Sequence, residues 1–249
     1  MRRYALRDDQ WDRIKDFLPG REGHVGGTAA DNRLFVEAVL YRYRAGIPWR
    51  DLPERFGDWK IVYQRFSRWA KRGVFERIFN LLASDHDNEY MMIDATVVGA
   101  HQHSAGAKKN GGQAIGRSRG GLTTKIHALV DAPGNPVRLM LTPGQAHDLV
   151  CAAELIETAD PGALIADKAF DADPFIDTLT QREITPVIPP KANRKTQRLC
   201  DFALYCERNL IERFFNKLKH FRAIATRYDK LARNFLAAIQ LACAIILLN

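Results

Sequence analysis

The sequence predicts an α/β protein in which an all-α segment precedes a mixed sheet with helices. Three observations support this fold class. Up to about residue 85, apolar side chains recur at helical spacing, and the polar stretch SDHDNE ends this pattern. Short apolar and β-branched runs then alternate with helical stretches, which is typical of α/β sheets. The 249 residues are 46% hydrophobic and 27% charged, so we expect two packed domains, over residues 1–86 and 87–249.

The first two helices of the N-terminal segment are marked by residues that favour helix ends. Asp8 is expected to cap a helix that ends near Phe17, just before a Pro-Gly pair. Asp31 is expected to cap the next helix, and Gly46 supplies its stop because glycine readily adopts a left-handed backbone. These signals predict a small all-α domain at the N-terminus.

The rest of this segment has the outline of a helix-turn-helix. A short helix over about residues 51–56 and a turn at Gly57 precede a longer helix over about residues 58–72. Long polar side chains on that helix could reach phosphates and base edges in a DNA major groove, although an ordinary helical bundle with a basic outer face would look much the same. The predicted DNA contacts are Lys60, Gln64, Arg65, Arg68 and Lys71.

After residue 88 the pattern becomes that of strands and helices in alternation. EYMMIDATVVGA predicts a buried strand, and LTTKIHALVD and NPVRLMLTPG flank a Pro-Gly turn that predicts an antiparallel hairpin. GALIAD and ITPVIP predict further short strands, with helices over DLVCAAELIETA and residues 171–182. A long helix over about residues 203–221 and an apolar helix from about residue 231 complete the predicted order.

Charge is distributed unevenly along the chain. The net charge is +4 over residues 1–88, −4 over residues 89–190 and +8 over residues 191–249. An acidic middle between basic segments suits a site that gathers cations while its surroundings attract a polyanion, and solvated surface charge is the alternative. Four cysteines without metal-site spacing predict reduced thiols in the cytoplasm, and LAAIQLACAIILL predicts a buried helix and no membrane partner.

Three carboxylates stand out by their positions. Asp94 lies in the middle of a predicted buried strand, where an ionised carboxylate is costly unless it is paired or binds a metal. Asp167 ends a short strand, at the edge where α/β sheets place their sites, and Glu212 lies on the long helix. Each has an alternative structural role, as a salt-bridged acid, a helix cap and an ion-pair partner of Arg208. Asp171 is expected to begin the next helix or to lie behind Asp167.

The long helix collects its functional side chains on one side. At about 100° per residue, four polar residues project within roughly 60° of one another, while the apolar residues gather on the far side. The apolar side can therefore pack inward while the polar stripe faces an open groove. The stripe consists of Tyr205, Arg208, Glu212 and Lys219.

This spacing resembles a known signature. The pattern Y-x2-R-x3-E-x6-K, from Tyr205 to Lys219, is similar to that of bacterial insertion-sequence transposases of the DDE type. The strings MIDATVV, RSRGGLTTKIHALVDAPGNPVRLMLTPGQ and LIADKAFDAD resemble the insertion-sequence-five family in particular. PWRDLPERFGDWKIVYQRFSRWAKRGVF is similar to that family's N-terminal segment, so the resemblance covers nearly the whole chain.

The resemblance implies a ribonuclease-H-like catalytic domain that cuts transposon ends to free 3′-hydroxyl groups and joins them to target DNA. Carboxylate ligands suit Mg²⁺ or Mn²⁺, with two ions per active site. The implied partners are double-stranded DNA, as transposon ends and as target, and further copies of the chain in a homodimer or higher oligomer. The implied metal-binding and catalytic residues are Asp94, Asp167 and Glu212, with Tyr205, Arg208 and Lys219 near the end DNA.

Two basic loops are also predicted to contact phosphates. The first carries five basic residues and no acidic one, and glycines in it allow close approach to a DNA backbone. A plain flexible connection is the alternative for both loops. The candidate contacts are Lys108, Lys109, Arg117, Arg119 and Lys125 in the first loop, and Lys191, Arg194, Lys195 and Arg198 in the second.

Two further functions stay open at this point. A catalytically inactive, sequence-specific DNA-binding repressor derived from a transposase would keep the basic charge and the helix-turn-helix outline. A structure-specific nuclease would use the same metals without strand transfer. The three carboxylates argue against the first, and only the reaction products distinguish the second.

Overall fold

The computed structural model of the protein describes residues 5–20, 31–106 and 113–249. The described residues form two compact units, and each unit has a hydrophobic core of its own. The two domains that the sequence predicts, over residues 1–86 and 87–249, remain a prediction. The first unit lies within Met1–Leu82, Ala100–Gln113 and Leu218–Asn249, and the second within Ala83–Gly99 and Ala114–Lys217.

Helices and strands follow one another as the sequence pattern predicts, with several changes in length. The α-helices are α1 (Asp8–Asp12), α2 (Asn32–Ala45), α3 (Trp59–Lys71), α4 (Val74–Leu82), α5 (Ala152–Leu155), α6 (Asp173–Gln181), α7 (Phe202–Tyr205), α8 (Asn209–Lys219), α9 (Arg222–Ala225) and α10 (Ala232–Leu247). The strands are β1 (Tyr90–Ala100), β2 (Gly116–Ser118), β3 (Gly121–Asp131), β4 (Pro136–Pro143), β5 (Ala163–Ile165), β6 (Thr185–Val187) and β7 (Thr226–Arg227).

The predicted limits of α2 are confirmed by the capping residues at its two ends. The Asp31 carboxylate accepts a hydrogen bond of 2.8 Å from the backbone N–H of Leu34. Gly46 ends the helix in a left-handed conformation with φ of 74°. A Cβ at this position would lie 2.8 Å from the Cβ of Arg222, so both conformation and space require glycine.

Two predictions for the helical unit are wrong in detail. Asp8 is the first residue of α1 rather than its cap, and the helix ends at Asp12 before a 3₁₀ turn. In place of the predicted short helix over residues 51–56, 3₁₀ turns form at Trp49–Asp51 and Glu54–Phe56, because Pro53 between them lacks an N–H and holds the chain extended. The longer helix of the outline is confirmed as α3, capped by Asp58.

The C-terminal segment packs into the helical unit. The buried carboxylate of Asp229 accepts hydrogen bonds from the Tyr43 hydroxyl at 3.0 Å and from Arg42 at 3.4 Å, so it ties α2 to the chain just before α10. Most of α10 is buried, as the sequence predicts. No helix within the described residues is long and apolar enough to cross a membrane.

The second unit is built on a mixed sheet. β1 pairs antiparallel with β3, which pairs antiparallel with β4, while β5 and β6 continue the sheet parallel to β1. The predicted hairpin is therefore confirmed, and its turn needs Gly134, whose φ is 84°. The short strand β2 pairs with the start of β3 inside a segment predicted to be a loop. This mixed sheet with an all-helical N-terminal region confirms the predicted fold class.

One apolar cluster of the second unit lies on one face of this sheet. Met91 and Ile93 project into an apolar cluster that also contains residues of α5 and α6. Side chains alternate along a strand, so Asp94 projects from the opposite face. α5 and α6 are shorter than the predicted helices, while the predicted long helix is α7, a 3₁₀ turn and α8 in succession. The apolar side of α8 is buried at Ile211, Phe214 and Phe215.

Candidate active site

One predicted metal ligand lies on β1, and a second lies just past the end of the neighbouring parallel strand β5. Met92 of β1 pairs with Ile165 of β5, and Asp94 and Asp167 each follow two residues later. Neighbouring strands are about 4.8 Å apart, so this pairing brings the two residues close to each other near the end of β5. Asp94 lies within β1, whereas Asp167 begins the 3₁₀ turn after β5 and accepts a 2.8 Å hydrogen bond from the N–H of Ala169.

Burial makes Asp94 harder to ionise than an aspartate in water. Its side chain is 15% exposed, and burial raises the pKa of Asp94 above its ordinary value. The Ala95 N–H and the Arg208 guanidinium oppose this pKa shift, whereas the negative charge of Asp167 adds to it. A carboxylate in this position is stabilised by any cation that reaches it, which is the electrostatic requirement of a metal ligand.

Arg208 joins the third acid to the first. Its guanidinium donates to the Oδ2 atom of Asp94 and to the Oε1 atom of Glu212, at 2.7 Å in both cases. Glu212 lies one turn after Arg208 on the same helical run, and its side chain is 56% exposed. The ion pair that the sequence offered as an alternative role for Glu212 is therefore present, and it includes Asp94 as well.

The remaining residues of the stripe lie at the two ends of this helical run. Tyr205 ends α7, and burial raises the pKa of its hydroxyl, with Arg208 lowering that pKa and the charges of Asp167 and Asp94 raising it. Tyr205 is thus within electrostatic range of both aspartates. Lys219 is the last residue of α8, about two turns after Glu212. Contact of either side chain with DNA stays a prediction.

The donor set fits a hard divalent cation. The predicted ligands are all carboxylates, which suit Mg²⁺ or Mn²⁺, and two of them already share one cationic group, the guanidinium of Arg208. Across residues 5–20, 31–106 and 113–249, no three His, Cys, Asp or Glu side chains are grouped closely enough to hold an ion. The metal-binding triad of Asp94, Asp167 and Glu212 therefore stays a prediction.

Two family models match this chain. The family model described as "Transposase DDE domain" matches residues 86–247, which include Asp94, Asp167 and Glu212. The chain belongs to the transposase DDE domain family. The model described as "Putative transposase of IS4/5 family" matches residues 6–79. The predicted family resemblance is thus confirmed.

Curated relatives and a solved structure are similar to this transposase-family chain. It is 41% identical to the "Putative transposase for insertion sequence element IS6501" of Brucella ovis, over 51% of this chain and 100% of that protein. It is 47% identical to protein y4sN of Sinorhizobium fredii, over 47% of this chain and 94% of the relative. A piggyBac transposase synaptic complex with hairpin DNA aligns at 14% identity with a TM-score of 0.42, over 75% of this chain and 48% of that chain.

The predicted DNA-contacting helix of this transposase-family chain divides into two faces. Val62, Phe66 and Trp69 are buried, as the helical period predicts. The opposite face has no acidic residue, and the sequence reasoning missed one of its members, Ile61, which is 64% exposed and lies outside the apolar stripe. The predicted contacts that are exposed on this face are Lys60, Gln64, Arg68 and Lys71.

Arg65 differs from the other predicted contacts on α3. Its guanidinium lies 4.3 Å from the ring centre of Phe35 and 4.7 Å from that of Trp69, and it donates a hydrogen bond to the side chain of Asn32. Burial lowers the pKa of this guanidinium, and the nearby charge of Arg68 lowers it further. Arg65 therefore has a packing role in the helical unit, and its predicted contact with phosphate remains untested.

The described cations of the first basic loop differ in their exposure and in their partners. Lys108 and Lys109 lie outside the described residues. Arg117 on β2 and Arg119 beside it are exposed. Lys125 is 13% exposed and is paired with Asp148 at 2.9 Å, while its ammonium group also donates to the carbonyl of Ala146 at 2.7 Å. Lys125 is therefore engaged within the protein.

The second basic loop is held by two aspartates. Asp171 is buried, and it accepts from Arg194 at 2.6 Å, from Arg198 at 3.0 Å and from the backbone N–H of Lys191 at 2.8 Å. Both arginines also bond to Asp173, while Lys195 is exposed. Burial opposes ionisation of Asp171, but these hydrogen bonds and charges lower its pKa below the ordinary value. The sequence suggested a helix start or a position behind Asp167 for this residue, and its role as anchor of the loop was missed.

Proposed function

We propose that the chain is a DNA transposase whose catalytic residues are Asp94, Asp167 and Glu212. One observation supports this most directly. Asp94 on β1 and Asp167 just past the end of the parallel strand β5 each follow a paired residue by two positions, and Glu212 shares a guanidinium with Asp94. In a member of the transposase DDE domain family, these acids are the natural candidates for ligands of Mg²⁺ or Mn²⁺.

The reaction that we propose consists of two phosphoryl transfers. In the first, a water oxygen bonds to phosphorus at the transposon end, the P–O3′ bond breaks, and the 3′ oxygen leaves as a hydroxyl group. In the second, this hydroxyl oxygen bonds to a target phosphorus, the target P–O3′ bond breaks, and the proton passes to the departing oxygen. Each transfer forms one bond and breaks one, so neither ATP nor a covalent protein intermediate is required.

Each component of the candidate site has a task in this chemistry. When bound, two divalent ions activate the attacking oxygen and neutralise charge on the transferring phosphate. The three carboxylates would hold those ions, and Arg208 and Lys219 would bind phosphates of the end DNA. Tyr205 would stack on a displaced base beside them.

Recognition of the DNA ends would use the exposed face of α3. Its long basic side chains are free of acidic neighbours on the same helix, which suits the major groove and its phosphates. We further propose that two or more copies assemble on paired ends, in the bacterial cytoplasm where the DNA lies. Light scattering of the chain with and without end DNA measures that assembly.

The test uses a plasmid that carries the coding sequence with its natural flanking DNA, incubated with the full chain and Mg²⁺. We expect nicks at the element ends and DNA joined to new sites. Asp94→Asn, Asp167→Asn and Glu212→Gln should each reduce both products by at least about a hundredfold, because each removes a charged metal ligand. Asp177→Asn, at an exposed carboxylate of α6, is the matched control and should retain activity.

The products also separate the other functions. A repressor would retard the migration of end DNA in a gel without nicking it, and a nuclease would nick the ends without joining them. End-DNA affinity of the three variants should not fall by more than about twofold from that of the unmodified chain, since the charges removed are not phosphate contacts. Full activity of any one variant would exclude that acid from the site.

A further inference from the structure

The side chain of Arg208 takes the place between two carboxylates where a metal ion is proposed to bind. Its two terminal nitrogens each lie 2.7 Å from a carboxylate oxygen, one of Asp94 and one of Glu212. These two acids are 118 positions apart in the sequence and meet at this one guanidinium. One oxygen of each of these two proposed metal ligands is therefore already bonded to a monovalent cation.

The placement of Arg208 has a physical cause and a cost. Asp94 is largely buried, and an isolated buried carboxylate requires a nearby positive charge. Arg208 supplies it, but its Nε atom is buried without a hydrogen-bond partner among the described residues. A buried donor without a partner is unfavourable, so this position of Arg208 is stabilised mainly by its two carboxylates.

We infer that Arg208 is a resident counter-cation that competes with the divalent cation for Asp94 and Glu212. A guanidinium and a divalent cation on the same two carboxylates repel each other, so binding of the metal favours departure of the guanidinium. A DNA phosphate offers the released guanidinium a bidentate partner of the same charge as a carboxylate. Metal binding and DNA binding would then favour each other, because each is helped when Arg208 moves from the acids to the phosphate.

This inference rests on the proposed function and states how its site is regulated. Without DNA the chain would bind divalent cations weakly, and cutting would wait until an end is in place. This coupling between metal binding and DNA binding is local, because it depends on one side chain that can bond either to two carboxylates or to a phosphate. Arg208 would thus do more than bind DNA or pair with Glu212, the two roles that the sequence suggested.

The test measures binding of Mn²⁺ alone to the full chain, without DNA, from the paramagnetic resonance signal of free Mn²⁺. Arg208→Gln should bind Mn²⁺ about tenfold more tightly than the unmodified chain, because the competing charge is gone and the acids remain. Arg213→Gln is the matched control, since it removes one exposed positive charge from the same helix. That control should change the affinity by less than about twofold.

A second pair of variants locates the bound Mn²⁺ and provides a result in case Arg208→Gln does not fold. Asp94→Asn combined with Arg208→Gln should lose the gain, which would locate the bound Mn²⁺ at Asp94. Arg208→Lys keeps the charge but replaces the fork with a single ammonium group, so it should give a smaller gain that is still above the unmodified chain. If Arg208→Gln fails to fold by circular dichroism, the Arg208→Lys result decides.

The outcomes separate this inference from the proposed function. Mn²⁺ binding that depends on Asp94 but is no tighter in Arg208→Gln, or in Arg208→Lys where that variant decides, would overturn the inference alone. A gain in Arg213→Gln equal to that in Arg208→Gln would also overturn it, since the effect would then be general charge. Mn²⁺ binding that is indifferent to Asp94 would overturn the inference and the proposed metal site together.

Discussion

Helix α3 and the loop over residues 191–198 are both rich in lysine and arginine, yet their cations have different surroundings. On α3, Arg68 and Lys71 are exposed, and the helix has no acidic residue. In the loop, both arginines are bound to Asp171 and Asp173. Equal numbers of basic residues in a sequence therefore do not give equal numbers of cations available to DNA.

The difference lies in the burial of the acidic partner. A cation on an exposed helix face gives up only water and counter-ions when it meets a phosphate, and the release of counter-ions favours binding. A cation bound to a buried carboxylate would have to leave that carboxylate without compensation, which is costly. We therefore propose that α3 binds DNA, and we assign the loop arginines to the structure of the second unit.

The largest expected effect is on stability, in Asp171→Asn. The Asp171 side chain is 1% exposed, and its loss of charge leaves two arginines without their buried partner. The free energy of unfolding should fall by about 3 kcal/mol, as for other broken buried ion pairs. Urea denaturation of the full chain measures this change, and a loss below about 0.5 kcal/mol would place Asp171 among ordinary surface residues.

Two controls sharpen this prediction. Asp173→Asn alters an acid that contacts the same arginines but is 64% exposed, so it should cost much less. The folded-state pKa of Asp171 is lowered, so its stabilising contribution is present above its unfolded pKa of about 3.9 and is lost as the pH falls through the lower folded value. The difference between the unmodified chain and Asp171→Asn should therefore persist at neutral pH and shrink in acid.

Most of the fold could be predicted from the sequence because its signals are local. The Asp31 cap, the Gly46 stop and the apolar face of α3 depend on residues a few positions apart, and each is confirmed. The errors fall where a local signal competes with another, as at residues 51–56, where Pro53 separates two 3₁₀ turns in place of the predicted helix.

The contacts of the candidate site depend on distant residues, and the sequence could not supply them. The positions of Asp94 and Asp167 followed from strand patterns. The guanidinium that joins Asp94 to Glu212 belongs to Arg208, which is 114 positions from Asp94 in the sequence and four from Glu212. The anchoring of Arg194 by Asp171 spans 23 positions between a turn and a loop. Neither partner shows a periodic pattern, so only the folded chain brings them together.

The next prediction concerns DNA binding by α3. Arg68→Gln should weaken binding of a labelled duplex from the flanking DNA by about fivefold at moderate salt, and it should reduce the salt slope by about 0.9, as expected for one lost phosphate contact. Fluorescence anisotropy at several salt concentrations measures both quantities. Arg13→Gln removes one exposed charge near α1 and is the control. Equal losses in the two variants would indicate attraction by net charge rather than contact by α3.

The smallest effect is expected for Arg198→Gln in the same assay. Its guanidinium is bound to Asp171 at 3.0 Å and to Asp173, so it is not available to a phosphate, and the affinity should change by less than about twofold. Lys195→Gln, at an exposed residue of the same loop, is the matched variant and should lose more. A loss for Arg198→Gln as large as that for Arg68→Gln would mean that the loop arginines exchange their aspartates for phosphates when DNA binds. The cations of α3 and of the loop would then differ in availability only in the protein without DNA, because the aspartates would release the arginines when DNA binds.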